Sequence, residues 1–118
     1  MSLTPLEKVE LLVKNLIEVK AGGIVRIDVT SKSTITDYVL VVQGRSQAQV
    51  RGISDEMEMR LKEENVRPLG VEGYNEGSWI LMDYDTTIIH IFHPETRQKY
   101  RIEELHSGCP TETFGEDE

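Results

Sequence analysis

Cysteine is nearly missing from this chain of 118 residues; Cys109 stands alone. One thiol cannot close an internal disulfide, and Cys109 has no Cys/His spacing that would hold zinc. A reducing compartment fits. Long apolar runs are also missing. No stretch approaches the ~20 residues that a membrane-spanning helix needs. Glu7, Lys8, Glu10 and Lys14 interrupt the first apolar segment, so no signal-peptide core is expected there. The expectation is a cytoplasmic protein with no membrane partner. Bases are scarce too: 13 Lys and Arg against 21 Asp and Glu leave a net charge of −8. Binders of phosphate backbones gain affinity by setting Lys and Arg against phosphates, so direct nucleic-acid binding is not expected.

The shortage of bases is sharpest between Arg67 and Arg97, where no Lys or Arg occurs. That interval holds Glu72, Glu76, Asp83, Asp85 and Glu95, and also Tyr74, Tyr84, Phe92 and the single tryptophan, Trp79. A second acidic region closes the chain. Residues 107–118 carry Glu112, Glu116, Asp117 and Glu118 with no base, and contain Gly108, Pro110 and Gly115. They read as a disordered acidic tail on a single domain spanning residues 1–106.

What remains is well patterned. Thr4, Pro5 and Glu7 form a helix start with a capping box. Val9, Leu12, Val13, Leu16 and Ile17 then recur at helical spacing, and Gly22 and Gly23 stop the helix. Residues 24–29 alternate as a half-exposed strand. Residues 38–42 are apolar on both faces and suit a central strand. Gly44-Arg45-Ser46 turns the chain into a second helix, capped by Ser46 and Gln49 and running to about Asn65, with Val50, Ile53, Met57 and Leu61 inward. A short strand follows near residues 69–72. Residues 79–84 and 87–93 then form a hairpin around Asp85-Thr86, and a short helix or turn begins at Pro94. The fold class is α+β: a mixed sheet of about five strands with two long helices, one against each sheet face.

Alternation puts Trp79, Leu81 and Asp83 on one face of their strand and Ile80, Met82 and Tyr84 on the other. Ile80 and Met82 are the better core candidates. Trp79 and Leu81 then lie on a second face beside an acid. An exposed indole flanked by carboxylates suits docking to a basic protein, with the ring as anchor and the acids selecting charge. The competing reading buries Trp79 beneath a third helix or a twisted neighbour. Elsewhere the readings favour structure. Gly44-Arg45-Ser46 could hold a phosphate at a helix start, but capping explains it better. His90 and His93 fall on opposite faces of one strand and cannot grip one metal, and His90 reads as a sheet-face histidine.

In order along the chain, residues 37–42 with Gly44-x-Ser46, Leu69-Gly70-Val71-Glu72-Gly73, residues 79–84 and His90-Ile91-Phe92 together resemble the Iojap or ribosomal silencing factor family. The resemblance covers residues 9–105. It implies a nucleotidyltransferase-like fold without catalytic carboxylates, no enzymatic activity, no cofactor and no metal. It also implies docking through a basic ribosomal protein on the joining face of the large ribosomal subunit, where the chain blocks the small subunit and represses translation. A homodimer is implied for the free protein. Trp79 and Asp83 match family positions that face the ribosomal partner. Glu72, Tyr74, Leu81 and Tyr84 are added from the face and charge argument. The sequence departs from the family at Asp85-Thr86, where the family has Gly-Asp, and at His106, where it often has Trp. The alternative is a magnesium-dependent nucleotidyltransferase-like enzyme that uses Asp83 and Asp85.

Overall fold

The structure, a computed structural model, describes residues 3–115. Helix α1 spans Pro5–Glu18. Its start is a reciprocal cap: the Glu7 amide donates to the Thr4 hydroxyl at 3.1 Å, and the Thr4 amide donates to the Glu7 carboxylate at 2.9 Å. The expected glycine stop lies further along. Lys20 takes the left-handed conformation (φ 65°) that ends the helix, and Gly22 and Gly23 open the first strand. Helix α2 spans Gln47–Lys62. Ser46 accepts the Gln49 amide at 3.1 Å, while the Gln49 side chain reaches the Arg45 amide at 2.5 Å, one residue outside a strict capping box.

The strands are β1 (Gly22–Asp28), β2 (Tyr38–Gln43), β3 (Gly70–Glu72), β4 (Trp79–Asp83), β5 (Thr87–Phe92) and β6 (Thr111–Phe114). They form one six-stranded sheet in the order β3-β4-β5-β2-β1-β6. Only β2 and β5 pair in parallel; the other neighbours are antiparallel. The loop between β4 and β5 holds residues 84–86, and Asp85 supplies its left-handed residue (φ 74°). A short helix α3 (Pro94–Tyr100) and a 3-10 turn (Ile102–His106) follow β5.

β6 corrects the expected disorder from Ser107 onward. Its residues add to β1 with Ile24 opposite Phe114 and Arg26 opposite Glu112. Arg26 explains the pairing. It forms an ion pair with Glu112 and lies 5.0 Å from the centre of the Phe114 ring. Acidity that reads as a solvated tail is here matched to a cation on the neighbouring strand. The remainder of the expected tail, residues 116–118, lies outside the described residues.

The two long helices do not take opposite faces, as expected; both cover the same one. Val9, Leu12, Val13 and Leu16 of α1 and Val50, Ile53, Met57 and Leu61 of α2 pack on Ile24, Leu40, Val42, Ile80, Met82, Ile89 and Ile91. Each such buried side chain contributes roughly 1.5–3 kcal/mol. Arg60 ties the helices together by donating to Asn15 Oδ1 at 2.9 Å and pairing with Glu18. The other face has a smaller core of Ile27, Val29, Val39, Val41, Phe92, Ile102 and Cys109, with Val25 and Trp79 packed against it. Among the described residues, α3, the short turn after it and the segment at Cys109 cover that face, and its β4 end, where Trp79, Leu81 and Asp83 are half-buried, is lightly covered. Among the described residues, no helix is long and apolar enough to cross a membrane.

Candidate docking site

The lightly covered region begins at Trp79. In the antiparallel register of β4 and β5, Trp79 lies opposite Phe92, Leu81 opposite His90, and Asp83 opposite Ile88. Opposed residues share a face. On the outer side, Glu72 of the edge strand β3 lies opposite Leu81. Trp79, Leu81, Asp83 and Ile88 are half-buried, and Glu72 is exposed. The result is a short apolar strip with a carboxylate at its edge and another at its end. Ile80 and Met82 are fully buried among the helices, as alternation requires.

Trp79 is neither bare nor sealed. Its ring centre lies 5.0 Å from that of Phe92, 5.0 Å from that of Tyr100 and 5.8 Å from that of His90. Its indole Nε1–H donates to His90 Nδ1 at 3.0 Å. Such aromatic pairs are worth about 0.5–1.5 kcal/mol each beyond the area they bury. Tyr100, at the end of α3, is itself half exposed and carries Lys99 Nζ 5.5 Å from its ring centre. His90 is only 7% exposed, and burial pulls its imidazole down from 6.5 to about 4, with His106 adding a smaller push in the same direction. It is therefore neutral at physiological pH. The sheet-face reading of His90 holds.

The acids near the strip keep their charge free. Among the described residues, the ion pairs are Arg26–Glu112, Arg60–Glu18, Arg97–Glu103 and Arg101–Glu104; none reaches Glu72, Glu76 or Asp83. Asp83 has a structural task as well. Its Oδ1 accepts the Asp85 amide at 2.8 Å and so closes the hairpin turn. Asp83 and Asp85 thus sit within one turn, with Asp85 at its left-handed position.

Two expected members do not belong. Tyr84 is 1% exposed and packs in the helix-side core, because it continues the alternation of Ile80 and Met82. Burial drives its hydroxyl well above the ordinary 10.0, and that hydroxyl has no hydrogen-bond partner. It cannot face a docking partner. Tyr74 is exposed, but its hydroxyl donates to Asp55 of α2 at 2.9 Å, which places it toward the helical layer and away from Trp79. Sequence reasoning missed the ring set around the indole: His90, Phe92 and Tyr100. A signal existed for two of them. Once a three-residue loop is fixed at 84–86, the register puts Phe92 opposite Trp79 and His90 two pairs further along, on the same face. Tyr100 arrives through α3, and no sequence pattern announces that packing.

Gly73 holds the strip from behind. It takes φ +85°, and a Cβ there would lie 2.1 Å from the carbonyl oxygen of Trp79. The loop of residues 73–78 therefore lies directly on the start of β4.

A family model described as "Ribosomal silencing factor during starvation" matches residues 2–118. A protein named ribosomal silencing factor from Halalkalibacterium halodurans is 30% identical over 105 residues, covering 89% of this chain and 90% of its own. A mouse protein named "Mitochondrial assembly of ribosomal large subunit protein 1" is 28% identical over 82% of this chain and 44% of its own length. A crystal structure of a Chromobacterium violaceum protein superposes with a TM-score of 0.85 at 26% identity, covering 98% of this chain and 91% of that one.

Proposed function

This chain belongs to the family of ribosomal silencing factors, and we propose that it acts without catalysis, by docking the β4 strip on a basic ribosomal protein at the joining face of the large subunit. Bound there, it excludes the small subunit sterically and lowers translation. The free protein is cytoplasmic and a homodimer in this reading. The observation that carries the proposal is the half-open indole of Trp79 on a face where, among the described residues, neither Glu72 nor Asp83 forms an ion pair. An aromatic anchor beside uncompensated carboxylates suits a basic protein surface, since the ring supplies affinity and the acids supply selection and encounter rate. The name of the mouse relative refers to the large ribosomal subunit, which agrees with the choice of target.

The test is co-sedimentation of the protein with isolated large subunits. Binding to large subunits but not to joined ribosomes is expected. Trp79→Ala should weaken it by about 2 kcal/mol, roughly 30-fold, as loss of a central anchor does. A folded Trp79→Ala protein that binds as tightly as wild type would refute the assignment. Magnesium-dependent nucleotide turnover lost in Asp83→Asn would overturn the non-catalytic reading.

A further inference from the structure

We propose that His90 is the positioning residue of the docking anchor: its Nδ1 fixes the indole of Trp79 on the sheet so that the ring's open part is presented in one orientation. The inference rests on the docking reading above but adds a residue and a tautomer to it. An indole has one polar atom, a donor, and no acceptor capacity there. A contact of 3.0 Å from Trp79 Nε1 to His90 Nδ1 therefore requires Nδ1 to be unprotonated. The neutral imidazole must then carry its proton on Nε2.

The surroundings favour that single state. His90 is buried, on the same face as Phe92, with ring planes 13° apart and ring centres 6.0 Å apart. The indole is thus held on one side by a hydrogen bond and packed against Phe92 and Tyr100. Side chains at the core of an interface lose rotamer freedom on binding, which weakens affinity by about two- to tenfold for each one ordered. An anchor already ordered in the free protein avoids that loss. His90 supplies the only hydrogen bond to the Trp79 side chain among the described residues. Without it, only packing against Phe92 and Tyr100 restrains the indole about its χ2 bond.

Three measurements decide the matter. In wild-type protein labelled with nitrogen-15 on histidine, the imidazole nitrogen shifts should show an acceptor Nδ1 and a protonated Nε2 for His90; a protonated Nδ1 would overturn the proposal with no variant needed. Trp79 is the sole tryptophan, so its nanosecond anisotropy decay reports local ring motion directly. His90→Leu, which fills the space but removes the acceptor, should add a fast local component and lower affinity for isolated large subunits about tenfold. His90→Asn sets an amide oxygen near the position of Nδ1 and should restore both readings to within about threefold of wild type. A purely structural role would change thermal stability in both variants without this rescue, and that result would refute positioning. So would a Leu variant with a rigid indole or with unchanged affinity while Trp79→Ala loses binding. If Trp79→Ala binds like wild type, the docking reading fails, and the shifts and anisotropy still decide whether His90 holds the ring.

Discussion

His90 makes stability depend on pH in a window that few other groups in the protein share. Its imidazole ordinarily takes up a proton at 6.5, but in the folded chain burial delays this to about 4. Between those values the unfolded chain binds a proton that the native chain refuses. Stability therefore falls as pH falls through the window. The loss relative to neutral pH works out at about 1 kcal/mol near pH ~5.5 and about 2–3 kcal/mol near pH ~4.5, approaching about 3 kcal/mol below both values. Asp28 acts at lower pH. The Thr30 hydroxyl and amide hold its carboxyl below the ordinary 3.8, so its contribution is lost only as pH falls beneath that value. The assay is urea denaturation followed by Trp79 emission, from neutral pH down to about pH ~4.5, in wild type and in His90→Asn. Subtracting the two curves isolates the imidazole from every carboxylate they share. A difference that grows toward acid, to about 2–3 kcal/mol, is expected. A difference flat to within about 0.5 kcal/mol would mean that His90 is solvated enough to protonate normally, and the buried Trp79–His90 pair would be wrong.

Other perturbations test other parts of the structure. Asp83→Lys should slow association with large subunits and reverse its salt dependence, because a long-range attraction becomes a repulsion; Asp83→Asn keeps an acceptor for the Asp85 amide, so a matching defect there would trace the effect to charge and not to the turn. Gly73→Ala should cost about 2 kcal/mol or more in denaturant unfolding, since the new Cβ meets the Trp79 carbonyl oxygen at a positive φ. An unchanged midpoint would show that the loop yields freely. Phe114→Ala should remove the ring beneath Arg26 and cost roughly 1 kcal/mol, with faster hydrogen exchange confined to β6 and β1.

The helices and inner strands were legible because their signals are local. Thr4, Pro5 and Glu7 specify the start of α1 through bonds within one turn. The run from Val39 to Val42 is apolar on both faces because β2 lies inside the sheet with a core on each side. The side on which each helix packs is not local. The stripe of α1 would serve either face equally well; the core it shares with α2, and the contact of Arg60 with Asn15 and Glu18, join residues more than 40 apart in sequence. β6 failed for a related reason. Glu112 and Phe114 look like tail residues until Arg26 of β1 is set opposite Glu112 and against the Phe114 ring.

The docking strip divides along the same line. Strand alternation is enough to separate Trp79 and Leu81 from Ile80, Met82 and Tyr84, and had it been followed strictly it would have excluded Tyr84 from the surface. Tyr74 lies in an irregular loop, where alternation carries no information, and its bond to Asp55 is set by α2. The immobilisation of Trp79 needs register as well as alternation. A loop one residue shorter or longer would shift β5 against β4 and put His90 beyond the reach of the indole. The loop at 84–86, with Asp83 capping it and Asp85 in the left-handed conformation, therefore fixes the register that sets His90 beside the indole. Asp85 accepts the positive φ of this turn, Asp83 supplies the closing hydrogen bond, and the register that joins Trp79 to His90 follows.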